Sequence, residues 1–113
     1  MSIEKSFGAI QLEDFAAPAC FEIEAGLRQR LDRPVLHDDQ HGTAVVVLAA
    51  LHNAMRRAGR RLEDCVIGQI GLGAAGLGIV RLLKCHGSVN VKGADLDPAA
   101  LGRLRAMGGE PST

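Results

Sequence analysis

The sequence contains no tryptophan and no tyrosine, and its only phenylalanines are Phe7, Phe15 and Phe21. It also has no net charge, since 13 basic residues balance 13 acidic ones. Proteins that attract nucleic acid or anionic membranes by their net charge carry an excess of positive charge. The balanced charge therefore does not indicate a nucleic-acid-binding or membrane-binding protein. The remaining composition, rich in Ala, Val, Leu and Ile, is typical of helices packed on a sheet.

Cysteines and long apolar runs are also sparse. Cys20, Cys65 and Cys85 are odd in number, lie far apart and contain no C-x-x-C pair, which indicates neither a disulfide framework nor a thiolate zinc site. The most apolar stretch, residues 44–51, is much shorter than the ~20 residues of a membrane-spanning helix. We therefore expect a protein of the reducing cytoplasm with no membrane role.

Hydrophobic periodicity predicts two strands and two helices in the first half of the chain. They lie over Phe7–Leu12, Pro18–Leu31, Val35–His37 and from Thr43 to about Ala58. The polar cluster 37–43 is predicted to be a loop, with Thr43 as the N-cap of the second helix and Gly59 as the glycine that ends it.

The second half repeats the order strand, helix, strand, helix. These elements are predicted over Val66–Ile70, from the glycine-rich turn to about Cys85, over Val89–Ala94 and from Pro98 to about Met107, with a polar tail from Glu110 to Thr113. Asp97 is the predicted N-cap of the last helix, and Pro98 its first residue. The order predicts an α/β fold with a partial doubly wound, Rossmann-like parallel sheet. Because one parallel pair cannot cover both faces, we expect another chain, or sequence that this chain lacks, to complete the sheet.

A glycine-rich turn separates the first strand and helix of this unit. Gly71-Leu72-Gly73-Ala74-Ala75-Gly76 matches the G-x-G-x-x-G pattern in the context that dinucleotide binding requires. Gly71 would permit the tight turn, Gly73 the approach of a pyrophosphate, and Gly76 the close packing of helix and strand. Asp95, at the end of the next strand, is placed to bind ribose hydroxyls and would repel a 2′-phosphate, which favours NAD over NADP. The alternative is a purely structural turn.

Two adjacent pairs of acids are candidate metal ligands. Glu13 and Asp14 follow the first predicted strand, and Asp38 and Asp39 precede the second helix. Mg²⁺ and Mn²⁺ prefer oxygen ligands around an open site, and carboxylates from two chain segments would supply them. On spacing alone, an ordinary acidic surface is the competing interpretation.

The histidines allow a different metal hypothesis. His37 and His41 are four residues apart, which on a helix would place both on one face as zinc ligands. Gly42 and the predicted loop disfavour this arrangement, so we interpret both as polar turn residues around a helix start. His52 and His86 show no pattern that indicates a site.

Two longer runs carry a family resemblance. The segments Gln11–Glu24 and Val35–Ala44 resemble signatures of bacterial malic enzymes, in the family's order, and the glycine turn follows at the family's distance. The resemblance covers nearly the whole chain. It implies that residues 1–60 are the C-terminal part of the catalytic domain, with its strand-helix-strand-helix segment, and that residues 61–113 begin the NAD-binding domain.

The resemblance also implies roles for individual residues. Glu13, Asp14 and Asp39 would hold the divalent metal, and Asp38 would be a catalytic residue, the neighbouring carboxylate that helps to organise the active site. On the cofactor side would lie Thr43, Gly71, Gly73, Ala74, Ala75, Gly76 and Asp95. The implied reaction is oxidation of malate by NAD, followed by decarboxylation to pyruvate and carbon dioxide.

The chain departs from the family's pattern in one respect. Malic enzymes are expected to use a tyrosine acid and a lysine base from a region before the first signature, but this chain has no tyrosine and Lys5 lies too close to match. We therefore expect a fragment or truncated paralogue that is inactive alone, either part of a homo-oligomer or completed by another chain. One alternative is a non-catalytic NAD-binding or assembly module. An amino-acid dehydrogenase would need a lysine in a glycine-rich context, which Lys84 and Lys92 lack.

Overall fold

The computed structural model describes residues 3–87 and 90–112, which form alternating strands and helices. In chain order they are β1 (Ile10–Leu12), α1 (Ala19–Arg30), β2 (Val35–His37), α2 (Asp38–Ala58), β3 (Val66–Ile70), α3 (Ala74–Cys85), β4 (Asn90–Ala94), α4 (Pro98–Ala106) and β5 (Glu110–Pro111), with short 3-10 turns at Glu4–Ser6 and Leu62–Asp64. The predicted α/β class is confirmed. The predicted start of the fourth strand, Val89, lies outside the described residues.

The first two strands form a small parallel sheet. Strand β1 pairs with β2 so that Ile10 lies opposite Val35 and Leu12 opposite His37, and α1 makes the crossover between them. Two parallel strands need such a crossover, because a tight hairpin joins only antiparallel neighbours. The carboxyl ends of β1 and β2 therefore lie side by side.

The remaining strands form a second parallel sheet in the order β3-β4-β5. Helices α3 and α4 provide the two crossovers, which is half of a doubly wound arrangement. The interpretation of residues 110–113 as a polar tail is wrong in part, because Glu110 and Pro111 pair with Lys92 and Gly93 as a third strand. Among the described residues, the far edge of β3 has no strand beside it.

The main core lies where α3 packs between the sheet and α2. Its fully buried members are Leu72, Leu77, Val80, Leu83, Val91 and Leu104. Helix α2 approaches α3 at Gly78, where a Cβ atom would collide with the backbone of Gln40. Glycine at this position lets the two helix backbones come closer than any other residue would allow.

Helix α2 begins earlier than predicted. The expected loop and the N-cap role of Thr43 are wrong, since the helix starts at Asp38 and places Thr43 in its second turn. Asp38 and Asp39 fall in the first turn, where negative charge is favourable. Gly42 does not break the helix, because glycine costs only about 1 kcal/mol in a helix interior and tertiary packing outweighs that cost. The Asp38 carboxylate occupies the space that a side chain at this position would need.

The predicted helix ends are confirmed at two places. Gly59 ends α2 with a φ of 63°, a left-handed conformation that favours glycine. Asp97 caps α4 by accepting a hydrogen bond from the backbone N–H of Ala99 at 2.9 Å, with Pro98 in the first turn.

The described part of the chain is elongated. Its extents are 52 × 32 × 20 Å and its radius of gyration is 15.7 Å, against about 13 Å for a compact domain of this length. Within residues 3–87 and 90–112, no helix has the length and apolar character to cross a membrane. The three cysteines are free thiols.

Candidate functional site

The acidic pairs lie at the carboxyl ends of β1 and β2. Glu13 and Asp14 follow β1 directly, and Asp38 and Asp39 follow β2. Because β1 and β2 are parallel and in register at Leu12 and His37, both pairs emerge at the same edge of the sheet. This is the edge where parallel α/β sheets place their ligands.

Asp14 and Asp39 are in direct contact. The backbone N–H of Asp14 donates a hydrogen bond to Oδ2 of Asp39 at 3.0 Å, across 25 residues of sequence. Asp14 adopts a left-handed φ of 59°, the one positive φ outside glycine among the described residues. Aspartate tolerates this conformation better than most residues, and such backbone positions cluster at functional sites.

The other two acids are oriented differently. Oε2 of Glu13 is 3.5 Å from the Gln11 amide that donates to it, and the Asp38 carboxylate lies over Gly42. In the described part of the chain, no three His, Cys, Asp or Glu side chains are grouped so as to hold a metal ion. The donor chemistry, carboxylates from two joined segments, fits a hard cation, but the contact that the structure shows joins the backbone of Asp14, not its carboxylate, to Asp39.

A buried polar network lies behind these acids, and the sequence interpretation missed it. His37, assigned to a solvated turn, has 0% of its surface exposed, so that assignment is wrong. Its Nε2 is 3.2 Å from Oδ2 of Asp39, and its Nδ1 is 2.9 Å from the Gln40 amide nitrogen. In β2 Val35 and His37 are buried and Leu36 is exposed, but Val35 and Leu36 are both apolar, so no alternation in the sequence indicates that His37 lies inside.

The network continues to α1. Gln40 donates to Oε2 of Glu24 at 3.1 Å, and Nε2 of His41 is 2.7 Å from Oε1 of the same carboxylate. Glu24 is only 5% exposed, and Arg28 stands 3.9 Å from it. A carboxylate at this depth is stable only with such partners.

The glycine turn has the geometry that the pattern predicts. Gly71 has a φ of 85° and donates its N–H to the carbonyl of Ala94 at 2.9 Å. A Cβ atom at Gly76 would collide with the Gly71 carbonyl, so this glycine permits the close packing of helix and turn. At Gly73 an added Cβ atom would meet nothing within 4 Å, which leaves open space above the turn.

The amino end of α3 faces this space. Its N-cap residue, Gly73, supplies no side-chain cap, and the first turn contains no acidic residue. Ala74 and Ala75 are half-buried and have small apolar side chains. The free N–H groups and the positive end of the helix dipole are therefore available to an anionic group.

Asp95 follows the adjacent strand β4, and its carboxylate contacts the glycine turn. Its Oδ2 accepts the backbone N–H of Leu72 at 2.6 Å, and its Oδ1 accepts that of Asp97 at 2.9 Å. These two donors, that of Asp97 first, lower the pKa of Asp95 and keep it ionised. It lines an open cleft of about 570 Å³ together with Ile70, Gly71, Ala94, Leu96 and Ser112. Each oxygen retains a second lone pair for a hydroxyl ligand.

Contacts between helices α2 and α3 connect the two regions. The first turn of α2, which carries Asp39, meets α3 at Gly78. At a rise of 1.5 Å per residue, Gly78 is about 7.5 Å along the axis from Gly73. Packing of α2 on α3 thus fixes the position of Asp38 and Asp39 relative to the glycine turn. Thr43 is exposed on α2, and its hydroxyl has no hydrogen-bond partner within the part of the chain that the structure describes.

Comparisons with known proteins agree with one another. Residues 40–100 match the family described as malic enzyme, NAD binding domain. The chain is 50% identical over 108 residues to NAD-dependent malic enzyme 1 of Bacillus subtilis, covering 96% of this chain and 25% of that protein. It is 48% identical over 86 residues to an NADP-dependent malic enzyme of Haemophilus influenzae, covering 76% of this chain and 11% of that one.

A solved structure shows the same similarity. The malic enzyme of Pyrococcus horikoshii superposes with a TM-score of 0.80 at 45% identity, covering 85% of this chain and 23% of that one. The chain thus spans a quarter or less of the length of these relatives.

Proposed function

Because the chain belongs to the malic enzyme family, we propose that it forms the part of such an enzyme where a divalent-metal subsite meets an NAD subsite. The enzyme would oxidise malate with NAD and release pyruvate and carbon dioxide. The observation that carries the proposal is the hydrogen bond from the Asp14 backbone to the Asp39 carboxylate. Asp39 lies on α2, which packs against α3, the helix that begins at the glycine turn.

The proposal divides the chain at residue 60, although the match to the NAD-binding family begins earlier, at residue 40. Residues 1–60 would belong to the catalytic domain and supply the metal carboxylates, and residues 61–113 would begin the NAD-binding domain. The three-stranded sheet and the glycine turn of the second part support this division. The close approach of α2 to α3 at Gly78 would then be the junction between the two parts.

Glu13, Asp14 and Asp39 are the proposed metal ligands. A bound Mg²⁺ or Mn²⁺ supplies Lewis acidity toward the hydroxyl and carboxylate of malate. Asp39 contributes a carboxylate that is 39% exposed and already anchored at Oδ2, and Asp14 stands beside it. Rotation of the Glu13 side chain away from Gln11 would complete the set. Asp38, beside this set, would be a catalytic residue whose carboxylate helps to organise the active site.

The glycine turn is the proposed NAD subsite. When bound, NAD supplies the hydride acceptor. Gly71, Gly73 and Gly76, together with Ala74 and Ala75, would seat the pyrophosphate at the amino end of α3, and Thr43 would lie on the same side. Asp95 would bind the ribose hydroxyls and disfavour the 2′-phosphate of NADP, although several relatives are named as NADP-dependent.

The isolated chain is proposed to bind these groups without turning over malate. It contains no tyrosine to act as the general acid that the family resemblance implies. Ile70, at the unpaired edge of β3, is 88% exposed, which supports a sheet that is completed within an oligomer or by another chain.

Calorimetric titration of the full chain tests this proposal. We expect Mn²⁺ to bind to the wild-type chain and to bind at least tenfold more weakly to Asp39→Asn, which keeps the shape of the side chain but removes its charge. Asp32→Asn is the matched control, because Asp32 is an exposed aspartate elsewhere on the surface. Equal Mn²⁺ affinity in wild type and Asp39→Asn would refute the metal site.

NAD titrations separate the two candidate functions. An NAD affinity that rises in the presence of Mn²⁺ and malate supports the catalytic subsite. NAD binding that is indifferent to both would instead identify a non-catalytic NAD-binding module, and no NAD binding at all would refute the role of the glycine turn.

A further inference from the structure

We infer that Glu24, Gln40 and His37 form a hydrogen-bonded relay that positions the Asp39 carboxylate. None of the three lies among the proposed ligands, yet all are at least nine-tenths buried, with exposures of 5%, 2% and 0%. The inference deepens the proposed function, since it rests on the metal role of Asp39. It assigns positioning roles to side chains that would not touch the ion.

The direction of each hydrogen bond follows from the outermost member. The Glu24 carboxylate can only accept, so the group of Gln40 that lies 3.1 Å from it must be the amide NH₂. The opposite orientation would place an amide oxygen against a buried carboxylate, which is repulsive. Glu24 therefore fixes which way the Gln40 amide points.

The Gln40 amide in turn fixes the tautomer of His37. Its nitrogen is 2.9 Å from Nδ1 of the imidazole and has a second hydrogen to donate, so Nδ1 must accept. The ring proton is then on Nε2, which lies 3.2 Å from Oδ2 of Asp39 and donates to it. The other tautomer would leave two donors facing each other at Nδ1.

The relay determines which oxygen of Asp39 remains available. Oδ2 accepts from both the His37 imidazole and the Asp14 backbone N–H, which holds the carboxylate plane in place. Oδ1 is the oxygen left to bind a cation. A ligand held in this way loses little rotational freedom on binding, and loss of such outer partners characteristically weakens metal affinity about 10–100-fold.

The first test is the tautomer of His37 in the full chain without metal. Ring nitrogen shifts in long-range ¹H–¹⁵N spectra distinguish a proton on Nε2 from one on Nδ1. We expect the wild-type chain to show the Nε2–H form alone. A proton on Nδ1 would overturn the relay, and this result does not depend on any variant.

The second test uses Glu24→Gln, which keeps the size of the side chain but no longer enforces the orientation of Gln40. We expect His37 to become a mixture of tautomers and the Mn²⁺ dissociation constant to rise about tenfold. Glu22→Gln is the control, because Glu22 is exposed on the same helix, and it should change neither quantity. Thermal unfolding of both variants verifies that they fold.

The outcomes separate the relay from the proposed function. An unchanged Mn²⁺ affinity in folded Glu24→Gln overturns the positioning role, whatever the tautomer does. If the wild-type chain shows the Nε2–H tautomer but binds no Mn²⁺, the metal site fails and the positioning role fails with it. If wild-type binding persists and only Glu24→Gln is weakened, both proposals are supported.

Discussion

Gly73 and Gly76 belong to the same turn but differ in what an added methyl group would contact. At Gly76 the methyl group would strike the Gly71 carbonyl, whereas at Gly73 it would project into open space. A methyl group at Gly73 would therefore leave the packing of the turn unchanged but would project into the space proposed for a ligand.

We expect Gly73→Ala to weaken NAD binding roughly tenfold, since the methyl group would occupy the space where a pyrophosphate approaches the backbone, and to lower the melting temperature only slightly, since alanine is a poorer N-cap than glycine. Calorimetry and thermal unfolding measure the two quantities. Gly26→Ala is the control, because nothing lies within 4 Å of its Cβ position on α1. Undiminished NAD binding in Gly73→Ala would place the cofactor elsewhere.

Asp95 gives the turn a pH dependence. Its pKa is lowered from 3.8 by the N–H groups of Asp97 and Leu72, so the folded chain holds this proton less readily than the unfolded chain. Asp95 therefore stabilises the fold above pH 3.8, and the contribution disappears as the pH falls through the lowered pKa.

We expect Asp95→Asn to unfold at a lower urea concentration than wild type near neutral pH, with the difference shrinking as the pH falls below 3.8. Asp32→Asn, at an exposed aspartate, should show no such trend. A difference between Asp95→Asn and wild type that is constant with pH would mean that the carboxylate charge is not what the two N–H groups stabilise.

Features set by a fixed local spacing are predictable from the sequence, whereas side-chain contacts between distant segments are not. The glycine turn and Asp95 follow from a fixed spacing within one strand-helix-strand unit. The Glu24–Gln40 hydrogen bond joins residues 16 positions apart on two helices, and no spacing rule indicates it. His37 was misassigned because it stands beside charged residues and because Val35 and Leu36 are both apolar, so that β2 shows no alternation in the sequence.

Among the secondary-structure elements, α2 has the greatest effect on the site. Its start at Asp38 places the second acidic pair in the first turn, and its approach to α3 at Gly78 links that turn to the nucleotide side. The start of α2 was mispredicted because glycine has a low helix propensity, so Gly42 indicates a loop when the sequence is considered alone. The packing of α2 against α3, which outweighs the cost of a glycine in the helix, becomes apparent only in three dimensions.

We expect Gly78→Ala to lower the free energy of unfolding by about 1–3 kcal/mol, because the methyl group meets the Gln40 backbone, which cannot rotate away. Urea denaturation measures the change. Gly102→Ala is the matched control on α4, where nothing lies within 4 Å and alanine should be neutral or stabilising. Equal stability of the two variants would mean that α2 and α3 are packed less closely than the structure shows.

At the scale of the whole fold, the described residues form two parallel sheets joined by a helix pair, with one proposed subsite at the carboxyl edge of each. The order of elements was predictable because each crossover helix has its own hydrophobic pattern. The third strand was not, because Glu110 and Pro111 are too few and too polar to show alternation, and only pairing with β4 reveals it. The meeting of Asp14 and Asp39 required the parallel register of β1 and β2.

The most direct measurement is a titration of the isotopically labelled full chain with Mn²⁺, followed by the paramagnetic broadening of backbone amide signals. We expect the signals of Glu13, Asp14 and Asp39 to broaden first, with those of Gly71–Gly76 affected next and β5 last. Broadening centred on another cluster, such as the adjacent rings of His52 and His86, or spread evenly over the surface, would contradict a shared cation at the ends of β1 and β2.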